Sequence, residues 1–70
     1  MTEVRAEIAA SVWQVHSEVG QRVSPGDTIA ILESMKMEIP VEAPIGGIIV
    51  EMRVAPDDQV QEGDVIAVIG

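Results

Sequence analysis

The chain has no cysteine, phenylalanine or tyrosine, and only one tryptophan, one histidine and one lysine. Without cysteine there are neither disulfides nor thiolate metal sites, so apolar packing alone has to hold the fold. No apolar run approaches the roughly 18 residues that a membrane span requires, and no basic-then-apolar leader opens the sequence. Cationic residues are scarce too: four Lys and Arg against twelve Asp and Glu leave a net charge of −8. That balance would repel nucleic-acid phosphates and anionic lipid rather than release counterions. The expectation is a soluble cytoplasmic protein with neither nucleic acid nor membrane among its partners. His16 has no Ser, Cys or metal-ligand companions that would make a catalytic constellation, and Asp57-Asp58 lacks the ligand spacing of a calcium loop. No metal site is expected.

What is present is aliphatic. Hydrophobic residues make up 47% of the 70 positions, dominated by Ile, Val, Ala and Met, and such β-branched richness favours strands. A chain this short forms one domain, residues 1–70, and buries only about 60% of its unfolded surface. A deep private active site is therefore not expected. Pro25, Pro40, Pro44 and Pro56 leave little uninterrupted helix, and glycines recur at turn spacing, so the fold class is all-β. Thr28-Ile29-Ala30-Ile31-Leu32 and Ile48-Ile49-Val50 have the length of buried strands. Alternation sets Val4, Ala6 and Ile8 against Glu3, Arg5 and Glu7, and Ile48, Val50, Met52 and Val54 against Ile49, Glu51 and Arg53. Pro40 and Pro44 bracket Val41-Glu42-Ala43 and place that strand at a sheet edge or in a short pairing.

The sequence also repeats. Sliding it along itself by 37 residues lays Gly26-Asp27 on Gly63-Asp64, Val12 on Ile49, Val15 on Met52 and Val23 on Val60; Ile29 to Leu32 fall on Ile66 to Ile69. Each unit has a polar break (Glu18 to Gln21, Pro56 to Gln59) followed by a turn (Pro25-Gly26-Asp27, Glu62-Gly63-Asp64). The doubling predicts two β-hairpin-like halves packed face to face. Asp27 and Asp64 are expected to cap their turns by side-chain hydrogen bonds. Trp13 falls on Val50 in the inward series and reads first as core and second as a partner-docking residue; His16 falls on Arg53 on a solvated face.

Lys36, the only lysine, lies between the two units in Glu33-Ser34-Met35-Lys36-Met37-Glu38. One apolar run ends before it and an alternating series (Met37, Ile39, Val41, Ala43) begins after it, so the chain must reverse there. With Met35 and Lys36 as the central pair, a two-residue turn requires positive φ at both, without the Gly or Asn that eases it. Met35 and Met37 read as flexible recognition contacts beside the amine, or as ordinary hairpin packing with one of them buried. Glu33 and Glu38 read as solubilising.

This doubled sequence, with Met35-Lys36-Met37 between Gly-Asp turns, resembles the biotinyl domain of biotin-dependent carboxylases from about Val4 to Ile69. The resemblance implies a flattened β-barrel or sandwich of the biotinyl/lipoyl hammerhead type, built of two quasi-twofold-related four-stranded halves, with the modified lysine on an exposed hairpin. It implies covalent biotin on Lys36, with Met35 and Met37 as the flanking recognition motif. Lipoyl domains share the fold but usually show Asp-Lys-Ala at the turn. Two departures stand out: Ser34 replaces a common Ala, and Ala6 to Ser11 replaces a Pro-Met-Pro-Gly-like stretch that bears on contacts to carboxylase partners. Between Val12 and Val23 there is no room for the thumb insertion of some acetyl-CoA carboxylase carriers.

The implied function is that of a carrier and not an enzyme. A lysine ammonium is a poor nucleophile at neutral pH and must be deprotonated by the enzyme that acylates it, here a biotin protein ligase. Biotin then supplies the chemistry: a biotin carboxylase loads CO₂ from bicarbonate onto it, a carboxyltransferase unloads it, and the carrier shuttles between the two subunits. The alternatives are a lipoyl carrier for a 2-oxo acid dehydrogenase or glycine cleavage, and an unmodified β-domain used as an assembly module.

Overall fold

The computed structural model describes all of residues 1–70 and contains eight strands and no helix: β1 (Thr2–Arg5), β2 (Ala10–Val15), β3 (Arg22–Val23), β4 (Thr28–Ser34), β5 (Met37–Glu42), β6 (Gly47–Met52), β7 (Gln59–Val60) and β8 (Val65–Ile69). They form two four-stranded antiparallel sheets, ordered β1-β8-β6-β3 and β5-β4-β2-β7. The repeat is visible in the register: Leu32↔Ile39 on β4–β5 has its counterpart in Ile69↔Thr2 on β8–β1, and Ala30↔Val41 in Ala67↔Val4.

The halves do not pack face to face as separate hairpins. Each sheet draws two strands from each half, so β1 and β3 lie with β6 and β8 while β2 and β4 lie with β5 and β7. The exchange is bonded reciprocally: Ala6 N–H donates to Asp64 O and Ala43 N–H to Asp27 O, both at 2.8 Å, and Val12 N–H to Asp58 O at 2.8 Å as Ile49 N–H to Gln21 O at 2.9 Å. A lone hairpin of this length is marginal in water, and interlocking lets each half complete the other's sheet. Ile29, Leu32, Ile49, Ile66, Ile69 and Val12, all under 2% exposed, fill the space between the sheets. Burial of a side chain of this size contributes roughly 1.5–3 kcal/mol.

Trp13 is not core. It is 43% exposed, as its repeat mate Val50 is at 42%. Register breaks between Val12 and Gln14 on β2–β4, and between Ile49 and Glu51 on β6–β8, put each of these residues at a β-bulge. The extra residue shifts the alternation by one. Ile49 thus turns inward at 0% exposure and Val50 outward, the reverse of the simple alternating pattern, and of the run Ile48–Val50 only Ile49 is fully buried. Ile8, beyond the end of β1, is 42% exposed, whereas Val4 and Ala6 are buried.

The turns are closed as expected. Asp27 Oδ2 accepts from Ser24 N–H and Asp64 Oδ2 from Gln61 N–H, both at 2.8 Å. Asp58 Oδ2 closes the Ala55 turn at 2.8 Å, where Gln21 Oε1 does so for Glu18 at 3.2 Å. On the solvated face His16 Nε2 lies 2.7 Å from Gln14 Oε1, and at the equivalent positions Arg53 Nε donates to Glu51 Oε1 at 2.7 Å. That hydrogen bond, and then the Glu51 charge, hold the Arg53 guanidinium protonated above its usual range.

Candidate functional site

The β4–β5 hairpin projects Lys36 at one end of a body measuring 31 × 17 × 17 Å. Ser34↔Met37 is the last paired position, so Met35 and Lys36 are the two central residues of the turn. Their φ angles are +53° and +65°, the left-handed pair that a type I′ hairpin demands. A residue with a Cβ in that region costs roughly 1–2 kcal/mol, and Asn-Gly would relieve it. The strain anticipated from the spacing is present.

Nothing encloses the amine. Lys36 is exposed and makes no ion pair, since the two salt bridges of the molecule join Arg5 to Glu3 and Arg53 to Glu51. Met35 is 91% exposed and Met37 65%, so neither packs into the hairpin. Met37 occupies the same face of β5 as Ile39 and Val41, which pack against the core, but lies past the core's edge. Glu33 and Glu38 are exposed and directly opposite each other across β4–β5. A like-charge cross-strand pair is mildly destabilising, and neither glutamate has an ion-pair partner.

β5 is an edge strand with Pro40 at its centre. Proline offers no N–H to a further strand, which protects the edge beside the hairpin from unwanted pairing. Between β5 and β1, the corresponding edge of the other sheet, runs a groove of about 360 Å³ lined by Glu3, Arg5, Ile8, Ile39, Pro40 and Glu42 among others. Spacing along the chain singles out Lys36, Met35 and Met37 but not this groove, whose walls come from strands far apart in sequence.

The hairpin geometry agrees with the chain's relationships. The sequence profile of the biotin/lipoyl family, described as biotin-requiring enzyme, matches residues 2–69. The chain is 51% identical over 67 residues to the biotinylated protein TB7.3 homolog of Mycobacterium leprae, covering 96% of this chain and 94% of that one. It is 44% identical over 63 residues to the biotin/lipoyl attachment protein of Bacillus subtilis, covering 90% and 86% respectively. Among solved structures it superposes on the urea carboxylase of Kluyveromyces lactis with a TM-score of 0.93 at 32% identity, over 99% of this chain and 6% of the carboxylase. A single-chain, multi-domain long-chain acyl-CoA carboxylase matches with a TM-score of 0.88 at 30% identity, over 94% of this chain and again 6% of that one. The chain thus spans a small fraction of each carboxylase, and nearly the full length of the small relatives. On a profile match from end to end and a doubled sandwich shared with carboxylases, the chain belongs to the biotin/lipoyl family of biotin-requiring enzymes, as a biotin carrier domain.

Proposed function

We infer that biotin is attached through an amide to Nζ of Lys36 by a biotin protein ligase, and that the modified hairpin serves a biotin carboxylase and a carboxyltransferase in turn. The observation that carries this reading is the presentation of the molecule's only lysine on a strained, fully solvated two-residue turn with no ion pair to hold it back. When bound, biotin supplies the carboxyl-carrying chemistry; the chain's own residues present and orient the attachment point. A rigid hairpin on a compact sandwich keeps the lysine clear of the body, so each partner can engulf the tip without unfolding the carrier. Attachment to a carrier raises the effective concentration of the group at a partner's active site without tight binding. Met35 and Met37 supply polarizable, adaptable surface on both sides of the amine for the ligase and the catalytic subunits to grip.

The matched carboxylases are proteins of which this chain resembles one small part, and their resemblance supports a carboxylase as the system served. The test is acylation of the purified chain by a biotin protein ligase with biotin and ATP, read by intact mass and by peptide mapping across Met35 to Met37. One biotinyl group per chain on Lys36, and none on Lys36→Arg, is the expected result, with thermal stability changed by no more than about 0.5 kcal/mol. Biotin on the arginine variant would overturn the assignment of Lys36. A lipoyl group on protein taken from its host would redirect the search to dehydrogenases.

A further inference from the structure

The groove between β1 and β5 departs from the quasi-twofold symmetry of the fold in one direction. Glu3, Val4, Arg5 and Glu7 line it together with their repeat mates Pro40, Val41, Glu42 and Pro44, so its middle straddles the pseudo-axis. Its remaining lining residues are Ile8, Leu32 and Ile39, whose mates Ile45, Ile69 and Thr2 do not take part. Leu32 and Ile39 are paired two positions before and after the Ser34↔Met37 closing pair. Ile8 approaches the same end, since β2 begins two residues later and Ser11 pairs with Glu33. The groove therefore extends further toward the Lys36 end than toward the chain termini.

We propose that this groove is a resting site for the biotinyl group on Lys36, which folds back along β5 between visits to its partners; the proposal rests on the attachment to Lys36 inferred above. Size and reach agree. A volume of about 360 Å³ falls in the ~300–1,000 Å³ range of small-molecule sites. The eleven covalent bonds from Lys36 Cα to the biotin ring extend roughly 14 Å, and three strand residues, the separation of Lys36 from Ile39, span about 10 Å.

The chemistry agrees as well. Met37, at 65% exposure, extends the apolar face of β5 from the turn to Ile39. Ile8, 42% exposed, lines the groove from the segment that follows β1. Among the other lining residues, Glu7 and Glu42 make no ion pair, whereas Arg5 is taken up by Glu3 and by the Gly63 carbonyl at 2.6 Å. The bicyclic head has an apolar thioether side and a neutral ureido side with two N–H donors. The groove offers apolar side chains at its Lys36 end together with carboxylates free of ion pairs, which only accept hydrogen bonds. Half-open walls suit a group that must leave readily.

The experiment uses the full chain carrying biotin, verified as singly modified by mass, beside the unmodified chain. Methyl NMR with selective isoleucine labelling is expected to show shifts at Ile8 and Ile39, with nuclear Overhauser contacts to the biotin ring protons, and none at the Trp13 indole on β2. Capture by streptavidin is expected to quicken severalfold in Ile8→Ser, which removes an apolar lining side chain at an already exposed position. Unmoved Ile8 and Ile39 methyls in a chain shown by mass to carry biotin, or equal capture rates in both proteins, would overturn the resting site while leaving attachment intact. Failure of attachment is seen separately, as no gain in mass, and removes the proposal together with its premise.

Discussion

The two ends of the sandwich are built on one plan and finished differently. At the lysine end β4 and β5 are joined through Met35-Lys36, with both residues at positive φ. At the opposite end β8 and β1 pair in the same register, Ile69↔Thr2 standing for Leu32↔Ile39, but the strands are the two ends of the chain. A turn that could be eased by Asn-Gly but retains two bulky side chains at a conformational cost of roughly 1–2 kcal/mol each points to presentation of the lysine as the reason for keeping it.

The termini end has a constraint of its own. A Cβ on Gly47 would stand 2.7 Å from both Gly70 O and Ile69 Cγ2, whereas its repeat mate Ala10 carries a Cβ and is accommodated at 8% exposure. Gly47→Ala is accordingly expected to destabilise by about 2–4 kcal/mol, through backbone strain and overpacking. Ala10→Gly should cost only about 1 kcal/mol. Chemical denaturation of the two variants would test the asymmetry, which equal losses would abolish.

The capped turns should show the opposite, symmetric behaviour. Asp27→Ala and Asp64→Ala each remove a 2.8 Å hydrogen bond at equivalent positions, and each is expected to lower stability by about 1–2 kcal/mol. A difference between them larger than about 0.5 kcal/mol would mean that the halves are not energetically equivalent. A smaller effect of opposite sign is expected at Ser17, whose buried hydroxyl has no hydrogen-bond partner and whose repeat mate is Val54. Ser17→Ala should stabilise by about 1 kcal/mol, measured as a raised denaturation midpoint with an unchanged slope. Smallest of all, Met35→Asn should stabilise by about 0.5 kcal/mol by easing the left-handed turn, and slow ligation relative to the wild-type chain; a variant that is stabilised and ligated as fast would remove the recognition role of Met35.

Much of this was legible in the residue order because it rests on local chemistry. The 37-residue repeat, the Asp27 and Asp64 turns, and the reversal at Met35-Lys36 each depend on a few neighbouring residues whose conformational preferences are strong; the prolines suggest an edge or short pairing, but the strand runs through Pro40 as Met37–Glu42 rather than beginning after it. The faces of Trp13, Ile49 and Val50 were not legible. A β-bulge changes the phase of alternation without altering the residue types, and it is decided by how two distant strands settle over a shared core. The exposure of both Met35 and Met37 was likewise undetermined, since alternation continues past the point where the core ends.

The sequence by itself determined that this protein is a doubled all-β unit with one lysine at the reversal between its halves, because repeat, turn chemistry and hydrophobic period are written in consecutive residues. Only the tertiary structure decided that the halves exchange strands, that the bulges turn Trp13 and Val50 to solvent, and that β1 and β5 flank a groove extending toward the Lys36 end. Those features arise where strands from different halves meet, and their geometry is set by packing around a common core rather than by the preferences of any one segment.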